Sequence, residues 1–185
     1  MPRTKRIWVP GDMYHITARG NRKNNLFRDR KDYHHYLALL QQVIIRYPFH
    51  LHSYCLMPNH IHLIIGTIDH SPSPIMHYLH SVYARYFNKR YDYVGHLFQD
   101  RYYSKPIRNH KQLLDTSAYV HLNPVKANYT KLAEEYPWSS YSVYVKGSST
   151  SLVHTQLILS LLGEDPHQKY KLYVETRRSN NDWQV

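Results

Sequence analysis

Three stretches of the chain have the apolar spacing of β-strands. Residues 14–18 alternate between polar and apolar positions, and residues 49–56 and 60–66 are rich in apolar and β-branched side chains. Pro58 and Asn59 separate the last two stretches, so we predict a β-hairpin there. A further strand is predicted within residues 95–107, after a loop.

Helical spacing fills the segments between these strands. Asp29 or Asp32 can cap a first helix, which the Tyr-Pro pair at 47–48 ends. The Ser-Pro pair at 73–74 places a cap before a proline, which is typical of a helix start. Apolar residues at helical spacing then continue towards Tyr91.

A third helix is predicted to begin at Asn109. Pro124 should end it and push Asn123 away from helical geometry. A linker at 146–149 precedes two further short helices. The order of elements predicts an α+β fold in which helices cover an antiparallel sheet. We expect one domain over residues 1–146 and a small helical tail over residues 147–185.

The charge balance indicates an acidic partner. The 185 residues carry 24 Lys and Arg against 13 Asp and Glu, a net charge of +11. This excess is typical of proteins that bind a phosphate backbone, although a generally basic protein is the alternative. No helix has the basic and strongly apolar character that binds membrane surfaces. The 19 tyrosines, interleaved with basic residues, suit stacking on unpaired bases.

The cysteine count and the hydropathy of the chain exclude several classes of protein. Cys55 is the single cysteine, so an intrachain disulfide and a zinc site built on cysteines are both excluded. No segment approaches the length of a membrane span, and no apolar stretch follows the basic N-terminus. We therefore expect a cytoplasmic protein.

Two histidines at the start of the predicted third strand are candidate metal ligands. His60 and His62 are two residues apart, so their side chains should share one face of the strand. Both imidazoles could then reach one metal ion. The chain has 15 histidines, so about one such spacing is expected by chance. A second pair, His50 and His52, does occur, and either pair can instead be the polar face of a half-buried strand.

The predicted helix after Asn109 carries a candidate nucleophile. Tyr119 and Asn123 are four residues apart and should share one helix face. Two imidazoles with one amide oxygen leave open positions that suit Mg²⁺ or Mn²⁺ bound to a phosphate oxygen. A tyrosine beside that ion is a candidate covalent nucleophile, although packing against the sheet is the commoner role.

Five blocks of sequence, in this order, resemble the REP-associated tyrosine transposase group of the single-tyrosine HUH transposases (IS200-like). The resemblance covers about residues 10–145. The blocks are YHITARGN at 14–21, MPNHIHL at 57–63, GHLFQDRY at 95–102, YVHLNPVKA at 119–127 and PWSSY at 137–141.

This resemblance implies a ferredoxin-like fold, an antiparallel sheet with helices packed on one side. It implies that His60 and His62 bind a divalent metal ion, Mg or Mn, and that Tyr119 is the nucleophile. Asn123 matches the position that often completes the metal site. Relatives can carry Gln there, and Asn has a shorter reach. His121 is the rival ligand, but two residues on from Tyr119 it should point to nearly the opposite side of the helix.

The implied function is a metal-dependent single-stranded DNA endonuclease and transposase. It would recognise palindromic hairpin DNA and cleave and rejoin strands through a 5′-phosphotyrosine intermediate, as a monomer or homodimer. Two alternatives stay open at this point. One is a non-catalytic or domesticated protein that binds hairpin DNA, and the other is a metal-binding structural protein.

Basic and polar residues at three places are candidate DNA contacts. They lie at the N-terminus, after the first strand, and at the end of the GHLFQDRY block or just beyond it, where a phosphate backbone could reach them. Each could also be a solvated surface charge. The candidates are Arg3, Lys5, Arg6, Arg19, Asn21, Arg22, Lys23, Arg101 and Lys105.

Overall fold

A computed structural model describes residues 8–148 and 150–179. Four antiparallel strands form one sheet in the order β2-β3-β1-β4, which is the ferredoxin-like topology. The strands are β1 Met13–Arg19, β2 Phe49–Met57, β3 His60–Thr67 and β4 Tyr103–Ile107. The helices are α1 Arg30–Arg46, α2 Pro72–Tyr91, α3 His110–Lys126, α4 Tyr141–Lys146, α5 Gln156–Ser160 and α6 Pro166–Ser179.

The predicted α+β fold and its hairpin are confirmed. β2 and β3 pair directly from Met57 opposite His60 to Phe49 opposite Thr67. The helix starts follow their sequence signals closely. Asp29 caps α1, where its carboxylate accepts the backbone N–H groups of Lys31 and Asp32.

Two details of the helices differ from the prediction. α2 begins one Ser-Pro pair earlier, with Ser71 as its cap and Pro72 as its first residue. α3 does not end at Pro124, which lies inside the helix, and the helix continues to Lys126. A proline so near the end removes one backbone hydrogen bond but leaves only two helical residues beyond it. Asn123 therefore stays helical, in contrast to the prediction.

The α1–α2 pair packs on one side of the sheet, as expected for the ferredoxin-like fold, and α3 lies against the other side. Ser117 of α3 bonds Ser53 of β2 at 2.8 Å, which places α3 on the face shared by Ser53 and His62. Ile16 and Ile61 point to the opposite face and are fully buried. The α1–α2 pair, whose helices pack on each other, covers that face.

A buried carboxylate fastens α1 to α2. Asp32 of α1 is fully buried and accepts hydrogen bonds from Tyr86, Arg90 and Tyr91 of α2. Asp32 also accepts the backbone N–H groups of Arg28 and Asp29, but these three side-chain donors belong to the other helix and reach the carboxylate only when the helices are packed.

Replacing Asp32 with Ala should lower the free energy of unfolding by about 3–5 kcal/mol, because three half-buried donors of α2 lose their buried, charged acceptor. Urea unfolding followed by circular dichroism measures this loss. Lys171→Ala is the control, since it breaks a partly exposed ion pair with Glu134 at 3.5 Å and should change stability little. Equal effects of the two variants would contradict the role given to Asp32.

Candidate active site

The pairing of β1 with β3 places the histidine pair on one face of the sheet. His60 lies opposite Arg19 and His62 opposite Thr17. Ile61, between them, points to the other face and is fully buried. The two imidazoles are in contact, with ring centroids 5.0 Å apart. The alternation of the strand therefore brings the two side chains together as its pattern predicts.

Each of these histidines has a partner on its Nδ1 atom. Asn59, the preceding residue, accepts a hydrogen bond from His60 Nδ1 at 2.7 Å. His62 Nδ1 lies 3.0 Å from Nε2 of His15, a residue of β1. His62 Nε2 is buried and has no hydrogen-bond partner. An unpartnered buried imidazole nitrogen is the kind of atom that a metal ion would complete.

Burial keeps the three imidazoles neutral. It lowers the pKa of His15 and of His60 to about 4, and it holds the pKa of His62 well below the ordinary value. The charge of Arg19 adds to the lowering at His60, and a hydrogen bond to the Asn123 side chain opposes it. Neutral imidazole is the form that ligates metals, so His60 and His62 are suited to that role at neutral pH.

Tyr119 and Asn123 reach this site from α3. The ring of Tyr119 contacts His62 edge to face, with centroids 5.7 Å apart, and contacts His15 at 5.9 Å. Asn123 lies one turn further along and donates a hydrogen bond from its amide nitrogen to the Tyr119 carbonyl at 2.8 Å. That bond leaves the amide oxygen for the His60 side of the site.

A polar network on the far side of α3 fixes the helix. Tyr170 of α6 bonds Ser117 at 2.6 Å and His121 Nδ1 at 2.7 Å, and Ser140 bonds His121 Nε2. Both ring nitrogens of the fully buried His121 are therefore occupied. As its spacing predicts, His121 points away from Tyr119 and is not a rival ligand.

A basic cavity of about 730 Å³ opens over these side chains. Four cationic residues and one carboxylate, Asp100, lie in its wall, so an anionic ligand is favoured. Lys126 Nζ lies 5.5 Å from the centre of the Tyr119 ring. The lining residues are His15, Thr17, Ala18, Arg19, His60, His62, Gln99, Asp100, Arg101, Tyr103, Lys105, Tyr119, Asn123, Lys126 and Ala127.

Only some of the predicted DNA contacts line this cavity. Arg19, Arg101 and Lys105 do. Asn21, Arg22 and Lys23 form a short 3₁₀ turn after β1, outside the cavity lining. Gly20, which precedes them, is required by this turn, since a Cβ there would lie 2.0 Å from the Asn24 carbonyl oxygen. Arg3, Lys5 and Arg6 lie outside the described residues.

Sequence reasoning did not assign eight of the fifteen residues that line the cavity, and four of these eight have polar or aromatic side chains of interest. Tyr103 of β4 lies opposite Thr17 of β1, and Lys126 lies one turn after Asn123. Gln99 precedes β4. His15 is two residues before Thr17 on the predicted first strand, so strand alternation was the available signal for it.

In the second histidine pair, His52 has a packing role. His52 is buried, and its Nδ1 donates to the His154 carbonyl at 3.0 Å, while His50 is exposed. Within residues 8–148 and 150–179, no three or more His, Cys, Asp and Glu side chains converge to hold a metal ion. A metal at the candidate site would therefore be bound by His60, His62 and the Asn123 amide.

In the same part of the chain, no helix is long and apolar enough to cross a membrane.

Comparisons with known proteins all point to one family. The family described as "Transposase IS200 like" matches residues 9–123. A REP-associated tyrosine transposase of Haemophilus influenzae is 27% identical over 164 residues, 79% of this chain and 89% of the relative. One from Escherichia coli K12 is 23% identical over 149 residues, 76% of this chain and 83% of the relative.

A solved structure has the same fold. It is a REP-associated tyrosine transposase bound to a REP hairpin, with a TM-score of 0.70 and 20% sequence identity. The match covers 83% of this chain and 94% of that one. These relatives confirm the resemblance that the five sequence blocks indicate. Because the family match includes the strand of His60 and His62 and the helix of Tyr119, the chain belongs to the IS200-like transposase family.

Proposed function

We propose that this protein cleaves and rejoins single-stranded DNA beside a hairpin, with Tyr119 as the nucleophile. One observation carries the proposal. The Tyr119 ring contacts His62 inside a basic cavity that also holds His60 and Asn123. The relatives named as REP-associated tyrosine transposases, one of them bound to a REP hairpin, favour hairpin DNA as the substrate.

The reaction that suits these groups is a transesterification at phosphorus. The phenol oxygen of Tyr119 attacks a phosphodiester, a phosphorus–oxygen bond to Tyr119 forms, and the bond to the 3′-oxygen breaks. The phenol loses one proton and the departing 3′-oxygen gains one. The product is a 5′-phosphotyrosyl link with a free 3′-hydroxyl, and a different 3′-hydroxyl can reverse the exchange and join a new strand. No hydrolysis occurs, so the energy of the phosphodiester is retained.

The donor set of the site suits a divalent metal ion such as Mg²⁺ or Mn²⁺. Nε2 of His62 is unpartnered, Nε2 of His60 is left available by the bond from Nδ1 to Asn59, and Asn123 offers an amide oxygen. A bound ion would polarise the scissile phosphate and orient it for in-line attack. The side chains of His15 and His62 position the Tyr119 ring through their edge contacts with it.

Cations around the cavity are proposed to hold the DNA backbone. Arg19, Arg101 and Lys105 lie in its wall, and Lys105 is opposite His15 in the β1–β4 ladder. Asn21, Arg22 and Lys23 would meet DNA further from the cleavage site. The exposed ring of Tyr103 offers a surface on which an unpaired base can stack.

Lys105→Ala should weaken hairpin binding and reduce the dependence of log K on log salt by about 0.7, the value for one phosphate contact to a single strand. Fluorescence anisotropy with a labelled hairpin at several salt concentrations measures this slope. Lys31→Ala is the matched control, because Lys31 is exposed on α1 and does not line the cavity. An unchanged slope for Lys105→Ala would remove this residue from the backbone contact.

The proposed function is tested with a hairpin that carries single-stranded flanks and a fluorescent label on either end. The protein is incubated with Mn²⁺ or with EDTA and run on a denaturing gel. The label 3′ of the cut should stay with the protein, and the label 5′ of the cut should be released, only when Mn²⁺ is present. Tight binding without any adduct, across flanks from the protein's own genomic surroundings, would favour a hairpin-binding protein without catalysis.

Three further expectations belong to this proposal. Because genomic DNA is the substrate, we expect the protein to act in the bacterial cytosol. A monomer or a homodimer is compatible with a site whose named residues all come from one chain. We expect residues 147–185 to form a helical tail to the transposase domain at 1–146, with α6 supporting α3 through Tyr170.

A further inference from the structure

We propose that His15 is a positioning residue that sets the tautomer of His62, so that His62 presents the lone pair of its Nε2 to the site. The inference rests on the proposed role of His62 as a metal ligand. It concerns a residue of β1 that the candidate metal site does not itself include.

The contact between the two histidines is built by the register of the sheet. His15 lies opposite Ile64 and His62 lies opposite Thr17, so the two are diagonal neighbours on the same face of β1 and β3. His15 Nε2 and His62 Nδ1 are 3.0 Å apart, and the ring planes differ by 21°. Both side chains are buried, with 8% and 6% of their surfaces exposed. Neither ring can exchange this partner for bulk water without moving out of the sheet face.

The proton in this bond can be placed by the surroundings of the other His62 nitrogen. A bond between two ring nitrogens needs one N–H and one lone pair. If His62 Nδ1 donates, Nε2 of His62 carries a lone pair. If His62 Nδ1 accepts, Nε2 of the neutral ring carries a hydrogen, and this N–H would be buried with no acceptor. Nε2 of His62 is buried without a partner in either tautomer, but a cation can complete only a lone pair, so we assign the arrangement in which His15 accepts and His62 Nε2 carries the lone pair.

The same arrangement occurs at His60 by a different route. Asn59 accepts from His60 Nδ1 at 2.7 Å and leaves Nε2 of that ring available. Each imidazole of the pair thus has its own Nδ1 acceptor, one local and one from the neighbouring strand. Partners of this kind orient ligating histidines, and their loss typically lowers metal affinity by about 10- to 100-fold.

His15 is not a third ligand in this account. Its Nε2 is already bonded to His62, and no three titratable ligands converge within residues 8–148 and 150–179. A different side chain that can accept a hydrogen bond at the same distance should therefore support metal binding as His15 does. His15→Gln offers an amide oxygen near the position of Nε2, whereas His15→Phe keeps a ring of similar size but cannot accept a hydrogen bond.

The test has two readouts that need no DNA. Nitrogen-15 NMR of the metal-free protein reports which nitrogen of His62 carries the hydrogen, and we expect Nδ1–H in the wild type and in His15→Gln. Mn²⁺ titration followed by electron paramagnetic resonance should give His15→Gln an affinity near that of the wild type and His15→Phe an affinity about 10- to 100-fold lower. His50→Phe, which removes an exposed histidine of β2, should bind Mn²⁺ as the wild type does.

Three results would overturn the inference. They are an Nε2–H tautomer of His62 in the wild type, wild-type Mn²⁺ affinity in a folded His15→Phe variant, and equal losses in His15→Gln and His15→Phe. If His15→Phe fails to fold, two measurements still test the inference. They are the tautomer of His62 in the wild type and the Mn²⁺ affinity of His15→Gln relative to the wild type. Failure of DNA cleavage would contradict the proposed function but would leave these two measurements unaffected.

Discussion

Replacing Tyr119 with Phe should abolish the covalent DNA adduct while hairpin affinity stays at the wild-type value. The substitution removes the only atom of this side chain that can attack phosphorus, and it leaves the ring that contacts His62 and His15. A denaturing gel with labelled hairpin measures the adduct, and anisotropy measures binding. We expect no adduct above the level of the metal-free reaction.

Tyr103→Phe is the matched control for this substitution. Tyr103 lines the same cavity from β4 and is 63% exposed, so it is a second tyrosine of the cavity and is more accessible than the partly buried Tyr119. The control should form adduct at close to the wild-type rate, because its ring still stacks on a base. An adduct that persists in Tyr119→Phe and disappears in Tyr103→Phe would assign the nucleophile to Tyr103 and contradict the role given to Tyr119.

Replacing His60 or His62 with Ala should reduce Mn²⁺-dependent cleavage by at least about 10³-fold. Each substitution removes one of the two imidazole ligands of the proposed metal ion. A bound ion would stabilise the transition state by several kcal/mol, and a loss of about 1.4 kcal/mol lowers the rate tenfold. Single-turnover cleavage at saturating protein measures the rate. Hairpin affinity should change little, since neither imidazole is charged at neutral pH.

The chain contains its own control for the histidine substitutions. His50 belongs to the second His-x-His pair and is exposed on β2, so His50→Ala removes a histidine of the same spacing from a different place. It should leave cleavage unchanged. Loss of cleavage in His50→Ala, or full cleavage in both His60→Ala and His62→Ala, would remove the metal role from β3.

The sequence predicted those parts of the site that depend on local geometry. Strand alternation placed His60 and His62 on one face, and helical spacing placed Tyr119 and Asn123 on one side of α3. These relations need only the neighbours of each residue along the chain. The helix caps were predictable for the same reason, although α2 offered two Ser-Pro pairs and the earlier pair begins the helix.

The contacts between distant segments were not predictable. The bond from His15 to His62 joins residues 47 apart and depends on the register between β1 and β3. The bonds from Tyr170 to His121 and Ser117 depend on the packing of α6 on α3. The prediction that Pro124 ends α3 was wrong because a proline so close to the end of a helix destabilises the helix only slightly.

The most direct test of the central claim identifies the amino acid that is bonded to DNA. The adduct formed with Mn²⁺ is digested with nuclease and protease, and the nucleotide-bearing peptide is sequenced by mass spectrometry. The account predicts a phosphodiester on the peptide that contains Tyr119, linked to the 5′ end of the cleaved strand. A nucleotide on any other tyrosine, or a link to a 3′ phosphate, would contradict it.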